Sequence, residues 1–181
     1  MISLRSQVTQ KVLNYFFINP DDGLYVNELA RRLGLDKRNL VKKLKDLETE
    51  GLLKSRIRGN LKFYSINKAF PLYKEYKKIV LGSVGLEHRL RELIRSVPAV
   101  KEAYLFGSFA GNRERVHGDI DLLVVGSHDL LELQRKINPF QNEIGREINI
   151  VNMDDREFRR RLAKKDPFLA RIFSARRRKL L

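Results

Sequence analysis

Two short apolar segments near the middle of the chain, each bordered by small or acidic residues, constrain the fold more than any other feature. Val100–Phe106 runs directly into Gly107-Ser108, and Asp119-Ile120-Asp121 opens the apolar run Leu122–Val125. Apolar runs of this length, bounded by turn residues, predict buried strands. The sequence therefore predicts a sheet in which polar residues end one strand and begin the next.

The two aspartates at the start of the second strand predict a metal site. Asp119 and Asp121 are two residues apart in an extended segment, so their side chains share a face, and Ile120 points to the other face. Paired carboxylates repel each other unless a cation neutralises them, and hard oxygen ligands suit Mg²⁺. The alternative is a turn-and-cap pair at a strand start, where aspartate is common.

Gly107-Ser108, at the end of the preceding strand, favours the metal-site interpretation. Followed by a short helix at Phe109-Ala110, these residues offer backbone amides and a hydroxyl to a phosphate. A phosphate-binding turn beside paired Mg²⁺ ligands is an arrangement suited to nucleotidyl transfer.

This motif also carries a resemblance to a known family. Phe106-Gly107-Ser108, ten further residues and then Asp119-Ile120-Asp121 resemble the signature of the small nucleotidyltransferase domains of the polymerase-beta superfamily, of the minimal, kanamycin-nucleotidyltransferase-like type. The resemblance implies a small mixed sheet flanked by helices. It implies that Gly107 and Ser108 contact the phosphates of a nucleoside triphosphate and that Asp119 and Asp121 carry Mg²⁺. Arg113 and Arg115 are candidates for further phosphate contacts.

The third acidic position of this family departs from the pattern. Active members place a third carboxylate on a later strand, which we expect here at Arg146–Val151. Alternation puts Glu147 and Asn149 on one face, and Asn149 aligns with the third acid. An amide cannot accept a proton, so Glu147, about 7 Å away along the strand, is the candidate substitute. The sequence leaves open whether the domain catalyses a reaction or only binds a nucleotide.

The first seventy residues predict a different module. Apolar spacing indicates a helix over Ser6–Ile18 and a second over Val26–Leu33, and Asp36 is an N-cap for a third. Two short runs, Leu53–Arg58 and Leu61–Ile66, predict a hairpin around Gly59-Asn60. Helix-turn-helix followed by a hairpin resembles the winged-helix domains of small bacterial and archaeal transcription regulators.

The winged-helix resemblance implies binding to double-stranded DNA, with the third helix in the major groove and the hairpin on the backbone. The alternative is a winged-helix module for protein contacts whose basic face is merely solvated. Because such regulators usually bind as dimers, we expect a homodimer. The candidate DNA-binding side chains are Lys37, Arg38, Asn39, Lys42, Lys43, Arg56, Arg58 and Lys62.

The distribution of charge agrees with a polyanionic partner. The net charge is +15, and the excess lies in residues 1–70, with 14 basic and 7 acidic residues, and in residues 156–181, with 11 and 2. The basic C-terminal segment is either a phosphate-contacting patch or a solvated helix face with a frayed end. Cysteine is absent and the three histidines share no ligand spacing, which excludes disulfides and thiolate sites and argues against a histidine metal site.

The sequence thus predicts an α+β protein with a winged helix at 1–70, a helical connector at 71–96 that bends near Gly82–Gly85, and a nucleotidyltransferase-like domain at 97–181. No apolar run is long enough for a membrane span, and we expect a soluble, cytoplasmic protein. The favoured function is a DNA-binding transcriptional regulator that binds a Mg²⁺-nucleotide. The alternatives are an active antitoxin-type nucleotidyltransferase that modifies a protein or RNA acceptor, with the winged helix for autoregulation, and a non-catalytic scaffold.

Overall fold

A computed structural model describes residues 2–110 and 118–181. The chain divides into two compact units, Met1–His88 and Arg89–Leu181. The boundary between the two units falls inside one helix of the predicted connector. The three-part division into 1–70, 71–96 and 97–181 stays a prediction.

Unit 1 combines helices with a small antiparallel sheet. Its elements, in chain order, are α1 (Gln7–Ile18), β1 (Leu24–Tyr25), α2 (Val26–Leu33), α3 (Lys37–Thr49), β2 (Leu53–Arg58), β3 (Leu61–Ile66) and α4 (Tyr73–Ser83). The strands lie in the order β1-β3-β2. The hairpin β2-β3 turns at Gly59, whose φ of +58° lies in the left-handed region that favours glycine.

Capping residues and apolar stripes explain where the helices of unit 1 begin and what they bury. Ser6 accepts a hydrogen bond from the Thr9 amide at the start of α1, and Asp36 accepts one from the Asn39 amide at the start of α3. Such side-chain acceptors satisfy amides that have no partner within the helix. The apolar side chains at helical spacing are fully buried, namely Leu13, Phe16, Leu29, Leu33, Leu40 and Leu44.

Unit 2 is built around a second, mixed sheet. Helix α5 (Leu86–Arg95) leads into it, and its other elements are β4 (Val100–Phe106), α6 (Gly107–Ala110), β5 (Ile120–Gly126), α7 (Leu130–Ile144), β6 (Ile148–Met153), α8 (Asp155–Ala163), α9 (Pro167–Ser174) and β7 (Arg178–Lys179). The strand order is β6-β5-β4-β7. Strand β5 pairs antiparallel with β4 and parallel with β6, so α7 is the crossover between two parallel strands.

One face of this sheet carries an apolar cluster that α8 and α9 cover. The cluster joins strand residues to helix residues, and its buried members are Tyr104, Leu123, Val125, Met153, Phe158, Leu169 and Ile172. Because side chains alternate along a strand, Asp121 lies on the same face as Leu123 and Val125. The two aspartates therefore lie at the edge of the cluster that α8 and α9 cover.

The described residues confirm a mixed α+β structure, with three departures from the expected elements. Strand β6 begins at Ile148, two residues later than expected, because Gly145 ends α7 in the left-handed conformation and Arg146 and Glu147 form the connection. Helix α7 and the short strands β1 and β7 had no counterpart in the sequence pattern. The C-terminal segment is not a frayed end, since β7 pairs with β4.

Within the residues described, no helix combines the length and the apolar character needed to cross a membrane.

Candidate functional site

The site begins where β4 ends and β5 starts. The two strands are paired so that Phe106 lies opposite Asp121, which brings Gly107 directly beside the second aspartate. Gly107 has a φ of +76°, a backbone conformation that side-chain-bearing residues rarely adopt. The chain can make this turn beside Asp121 because residue 107 has no side chain.

Two backbone contacts fix the segment that carries Asp119. The guanidinium of Arg146, which is buried, donates a hydrogen bond to the carbonyl oxygen of Gly118 at 2.6 Å. The amide of Ile120 donates to the carbonyl oxygen of Glu147 at 2.9 Å. The peptide units on both sides of Asp119 are therefore tied to the connection between α7 and β6.

Asn149 lies at the position that the sequence assigned to the third acid. In the parallel pair β5–β6 it lies opposite Asp121, and its side-chain amide donates a hydrogen bond to Oδ2 of Asp119 at 3.2 Å. The three side chains of Asp119, Asp121 and Asn149 thus form one polar cluster. An amide in this cluster supplies a hydrogen-bond donor but no third negative charge.

Electrostatics favour a cation at this cluster. Burial raises the pKa of the Asp121 carboxyl, the neighbouring side-chain amide of Asn149 lowers it, and the negative charge of Asp119 raises it. Burial and a neighbouring like charge both disfavour the ionised form, and a bound cation removes the second of these costs. The donor set of two carboxylates fits Mg²⁺, which proteins commonly hold through one or two carboxylates together with substrate phosphates.

The cluster opens onto a cleft of about 1010 Å³. The cleft brings together Gly107, Ser108, Asp119 and Asp121, and it has Phe106 and Val151 on its wall. It is also lined by residues from the C-terminal part of the chain, namely Phe168, Arg171, Ile172, Ala175 and Arg176. A cleft of this size can hold a nucleotide.

Of the remaining predicted residues of this site, the structure describes Glu147 and does not bring it into the cluster. Glu147 is exposed and directly precedes β6, and within residues 2–110 and 118–181 no three acidic or histidine side chains form a group that could hold a metal ion. Arg113 and Arg115 lie outside the described residues. The roles of these three residues stay predictions.

The candidate DNA-binding residues of unit 1 lie on α3 and on the hairpin β2-β3. Lys37, Arg38, Asn39 and Lys42 are exposed, as are Arg56 and Arg58 on the hairpin. Two of the candidates are already in ion pairs, because Lys43 contacts Asp46 at 3.2 Å and Lys62 contacts Glu48 at 2.7 Å. Arg58 lies over the Phe63 ring at 5.9 Å.

The sequence pattern missed the site residues that come from distant parts of the chain. Arg146 precedes β6 and is buried although charged, and Phe168, Arg171 and Arg176 come from α9 and the residues after it. Arg146 was visible only as the first residue of an expected strand, and Arg171 and Arg176 only as part of the basic C-terminal segment. Nothing in the local pattern indicates that α9 packs beside the aspartates.

Comparisons with known proteins bear on unit 2. No curated protein matches the chain. A crystal structure of a toxin-antitoxin with AMP-PNP is similar at 18% identity and a TM-score of 0.38, over 52% of this chain and 72% of that one. The toxin-antitoxin MntA-HpeT mutant is similar at 16% identity and a TM-score of 0.38, over the same shares. Residues 88–170, which include both aspartates and Gly107-Ser108, match the family model described as Polymerase beta, Nucleotidyltransferase.

Proposed function

We propose that unit 2 is a Mg²⁺-dependent nucleotidyltransferase that binds a nucleoside triphosphate and transfers its nucleotidyl group to a hydroxyl of a protein or RNA. The observation that carries the proposal is that Asp119 and Asp121 share one cleft with Gly107 and Ser108. The match of residues 88–170 to the nucleotidyltransferase family model supports it.

The proposal assigns a task to the polar cluster and to the turn beside it. Asp119 and Asp121 hold Mg²⁺, which when bound neutralises phosphate charge and lowers the pKa of the attacking hydroxyl. Ser108 donates a hydrogen bond from its hydroxyl to a phosphate oxygen, and Gly107 lets the backbone approach the phosphates closely. Asn149 keeps the Asp119 carboxylate in place through its 3.2 Å hydrogen bond.

The reaction forms one bond and breaks another at the α-phosphorus. The acceptor oxygen bonds to the α-phosphorus, the bond from that phosphorus to the bridging oxygen breaks, and pyrophosphate leaves. The proton of the acceptor hydroxyl must go to a base. Glu147 is our candidate, because Asn149 cannot take a proton.

Nucleotide binding is the first test. Calorimetry with ATP, GTP, CTP and UTP in Mg²⁺ compares the unmodified protein with the double variant Asp119→Asn/Asp121→Asn. The matched control is Asp129→Asn/Asp154→Asn, which removes two exposed carboxylates that cap α7 and α8, where asparagine caps equally well. We expect binding that the control retains and the cleft variant loses. If none of the four nucleotides binds to the unmodified protein, the proposed function is excluded.

Transfer is tested next, with the nucleotide that binds best and carries a label on its α-phosphate. The label is expected to appear on a protein or on RNA from a cell extract, together with released pyrophosphate, and the class of the labelled product identifies the acceptor. Glu147→Gln is expected to slow transfer and leave nucleotide affinity unchanged. Binding without transfer to either class would instead favour a nucleotide-sensing domain.

A second candidate function belongs to unit 1. We propose that it is a winged helix that binds double-stranded DNA as a homodimer through α3 and the hairpin β2-β3. Four polar side chains at the start of α3 are exposed, and three of them, Lys37, Arg38 and Lys42, are cations. Exposed cations along one helix suit phosphate and base contacts in a major groove.

The DNA-binding proposal is tested by titrating duplex DNA at several salt concentrations. The variant Lys37→Gln/Arg38→Gln/Lys42→Gln should bind more weakly, with a salt dependence reduced by about 0.9 in slope for each phosphate that the protein no longer neutralises. Lys68→Gln/Lys74→Gln/Lys78→Gln removes three exposed cations elsewhere in unit 1 and serves as the control. Equal losses of affinity in both variants would indicate non-specific attraction to DNA.

A further inference from the structure

The wall of the cleft that comes from α9 and the residues after it carries two arginines with no assigned task. Arg171 and Arg176 line the same cleft as Asp119 and Asp121. The motif around Gly107-Ser108 accounts for the metal ligands and for one phosphate contact. No residue of this motif is assigned to balance the negative charge of the terminal phosphates of a triphosphate.

The residues that the structure describes supply no carboxylate partner to either arginine. Within the described part of the chain, no carboxylate forms an ion pair with Arg171 or Arg176, and both residues are exposed. Arginines of the preceding helix differ, because Arg159 pairs with Asp155 at 3.3 Å and Arg161 pairs with Glu157 at 2.6 Å. Two guanidinium groups without a carboxylate partner, beside one cleft, are suited to bind an anion with several oxygens.

The segment that carries these arginines is anchored on both sides. Leu169 and Ile172 bury α9 in the apolar cluster. After Arg176, β7 pairs with β4, and the amide of Leu180 donates to the carbonyl oxygen of Ala103 at 2.8 Å. The connection between α9 and β7 is thus fixed at its two ends, which keeps Arg176 beside the cleft.

Arg171 is also oriented by a neighbouring ring. Its guanidinium carbon lies 6.0 Å from the centre of the Phe168 ring, which in turn makes an edge-to-face contact with Phe106 at 6.1 Å. A guanidinium that stacks on an aromatic face still has its N–H donors, which lie in its own plane, free to bind a ligand. Both rings line the cleft.

We propose that Arg171 and Arg176 bind the terminal phosphates of the nucleotide and make the site selective for triphosphates over monophosphates. This inference rests on the proposed function of unit 2. Asp119 and Asp121 take the metal ion, and the two arginines take the phosphate charge that the metal ion leaves unbalanced. In transfer, the same arginines would hold the leaving pyrophosphate.

Calorimetry with a triphosphate, diphosphate and monophosphate of one base, in Mg²⁺, tests the proposal. The base is the one that the unmodified protein binds best. Arg171→Gln/Arg176→Gln is expected to lose about 10- to 100-fold in triphosphate affinity, with monophosphate affinity changed by less than about twofold. Arg156→Gln/Arg160→Gln removes the same charge from exposed positions on α8 and should leave all three affinities unchanged.

The outcomes separate the two proposals. A protein that binds no nucleotide refutes the function of the cleft itself. The role of the arginines is overturned if Arg171→Gln/Arg176→Gln binds nucleotides with an unaltered preference for the triphosphate. It is also overturned if this variant loses affinity equally for all three nucleotides, or if the control variant loses as much affinity. If the glutamine variant has a lowered melting temperature, Arg171→Lys/Arg176→Lys replaces it. That variant keeps the charge and loses the paired donors, and an intermediate loss of triphosphate preference is expected.

Discussion

The backbone at Gly107 lies against the carboxylate of Asp121, in the space that a side chain would need. A Cβ atom on residue 107 would lie 3.0 Å from Cγ of Asp121 and would overlap its Oδ2. Gly107 also has a φ of +76°. Two independent constraints, one conformational and one steric, therefore require glycine at the end of β4. The second of them couples this turn to a proposed metal ligand.

Gly107→Ala is expected to displace the Asp121 carboxylate and so to lower affinity for the Mg²⁺-nucleotide by at least about tenfold. The left-handed conformation alone costs a side-chain-bearing residue about 1–3 kcal/mol. Gly34→Ala is the control, because Gly34 has a φ of +60° and no atom within 4 Å of an added Cβ. Calorimetry and denaturant unfolding measure the two effects. If Gly107→Ala binds nucleotide as well as Gly34→Ala does, the overlap with Asp121 has no consequence for the site.

Asn149→Asp should make the stability of the protein depend on a cation bound at the cluster. A third carboxylate beside Asp119 and Asp121 adds like-charge repulsion, so we expect the free energy of unfolding without Mg²⁺ to fall by about 1 kcal/mol. Mg²⁺ should restore that stability and should bind more tightly than to the unmodified protein. Melting temperatures with Mg²⁺ and with a chelator measure both changes.

Asn152→Asp is the matched control for this substitution, since Asn152 is an exposed asparagine on the same strand, β6. Its melting temperature should respond to Mg²⁺ as that of the unmodified protein does. A response of Asn149→Asp no larger than that of Asn152→Asp would contradict the assignment of a metal site to this cluster.

Local signals predicted most of the elements and the centre of the site. Strand β4, the turn at Gly107 and the aspartates at the start of β5 follow from apolar runs and turn residues that are adjacent in sequence. Asn149 was found because strand alternation and the family pattern both point to it. These inferences need only short-range information.

The rest of unit 2 depends on tertiary packing. Helix α7 contains Pro139, which argues against a helix in a sequence, although Leu133, Ile137, Phe140 and Ile144 are buried on one side of it. Strand β7 is two residues long, and it forms because it can pair with the free edge of β4. The contribution of Arg171 and Arg176 to the cleft depends on how α9 packs against the sheet, and no local pattern encodes it.

Arg146→Met tests whether the hydrogen bond from Arg146 to the backbone beside Asp119 supports the site. Arg146 is a buried cation that donates to the carbonyl oxygen of Gly118, the residue before Asp119. Methionine fills a similar space without a donor, so we expect the free energy of unfolding to fall by about 2 kcal/mol and Mg²⁺-nucleotide binding to weaken. Arg135→Met, at an exposed position on α7, is the control. Loss of stability with undiminished nucleotide affinity would limit Arg146 to a structural role.

A carboxylate in unit 1 ties the hairpin to α3, and its titration should be visible in stability. Glu48 on α3 accepts hydrogen bonds from Lys62 at 2.7 Å and from the Ser55 hydroxyl, one from each strand of the hairpin. The hydrogen bond from Lys62 and then that from Ser55 lower the pKa of Glu48 below its ordinary value of 4.5. A pKa that is lower in the folded than in the unfolded state stabilises the fold above the unfolded value, and this stabilisation is lost as the pH falls through the folded value.

Glu48→Gln should therefore be less stable than the unmodified protein at pH 7, and the difference should shrink below about pH 4. Because the Lys62 partner is exposed at 45% of its side-chain surface, the difference at pH 7 is expected to stay below about 1 kcal/mol. Denaturant unfolding at pH 7, 5 and 3 measures it, with Glu75→Gln, an exposed carboxylate of α4, as the control. A stability deficit that does not change with pH, or that follows the same course in Glu75→Gln, would show that the charge of Glu48 does not hold the hairpin to α3.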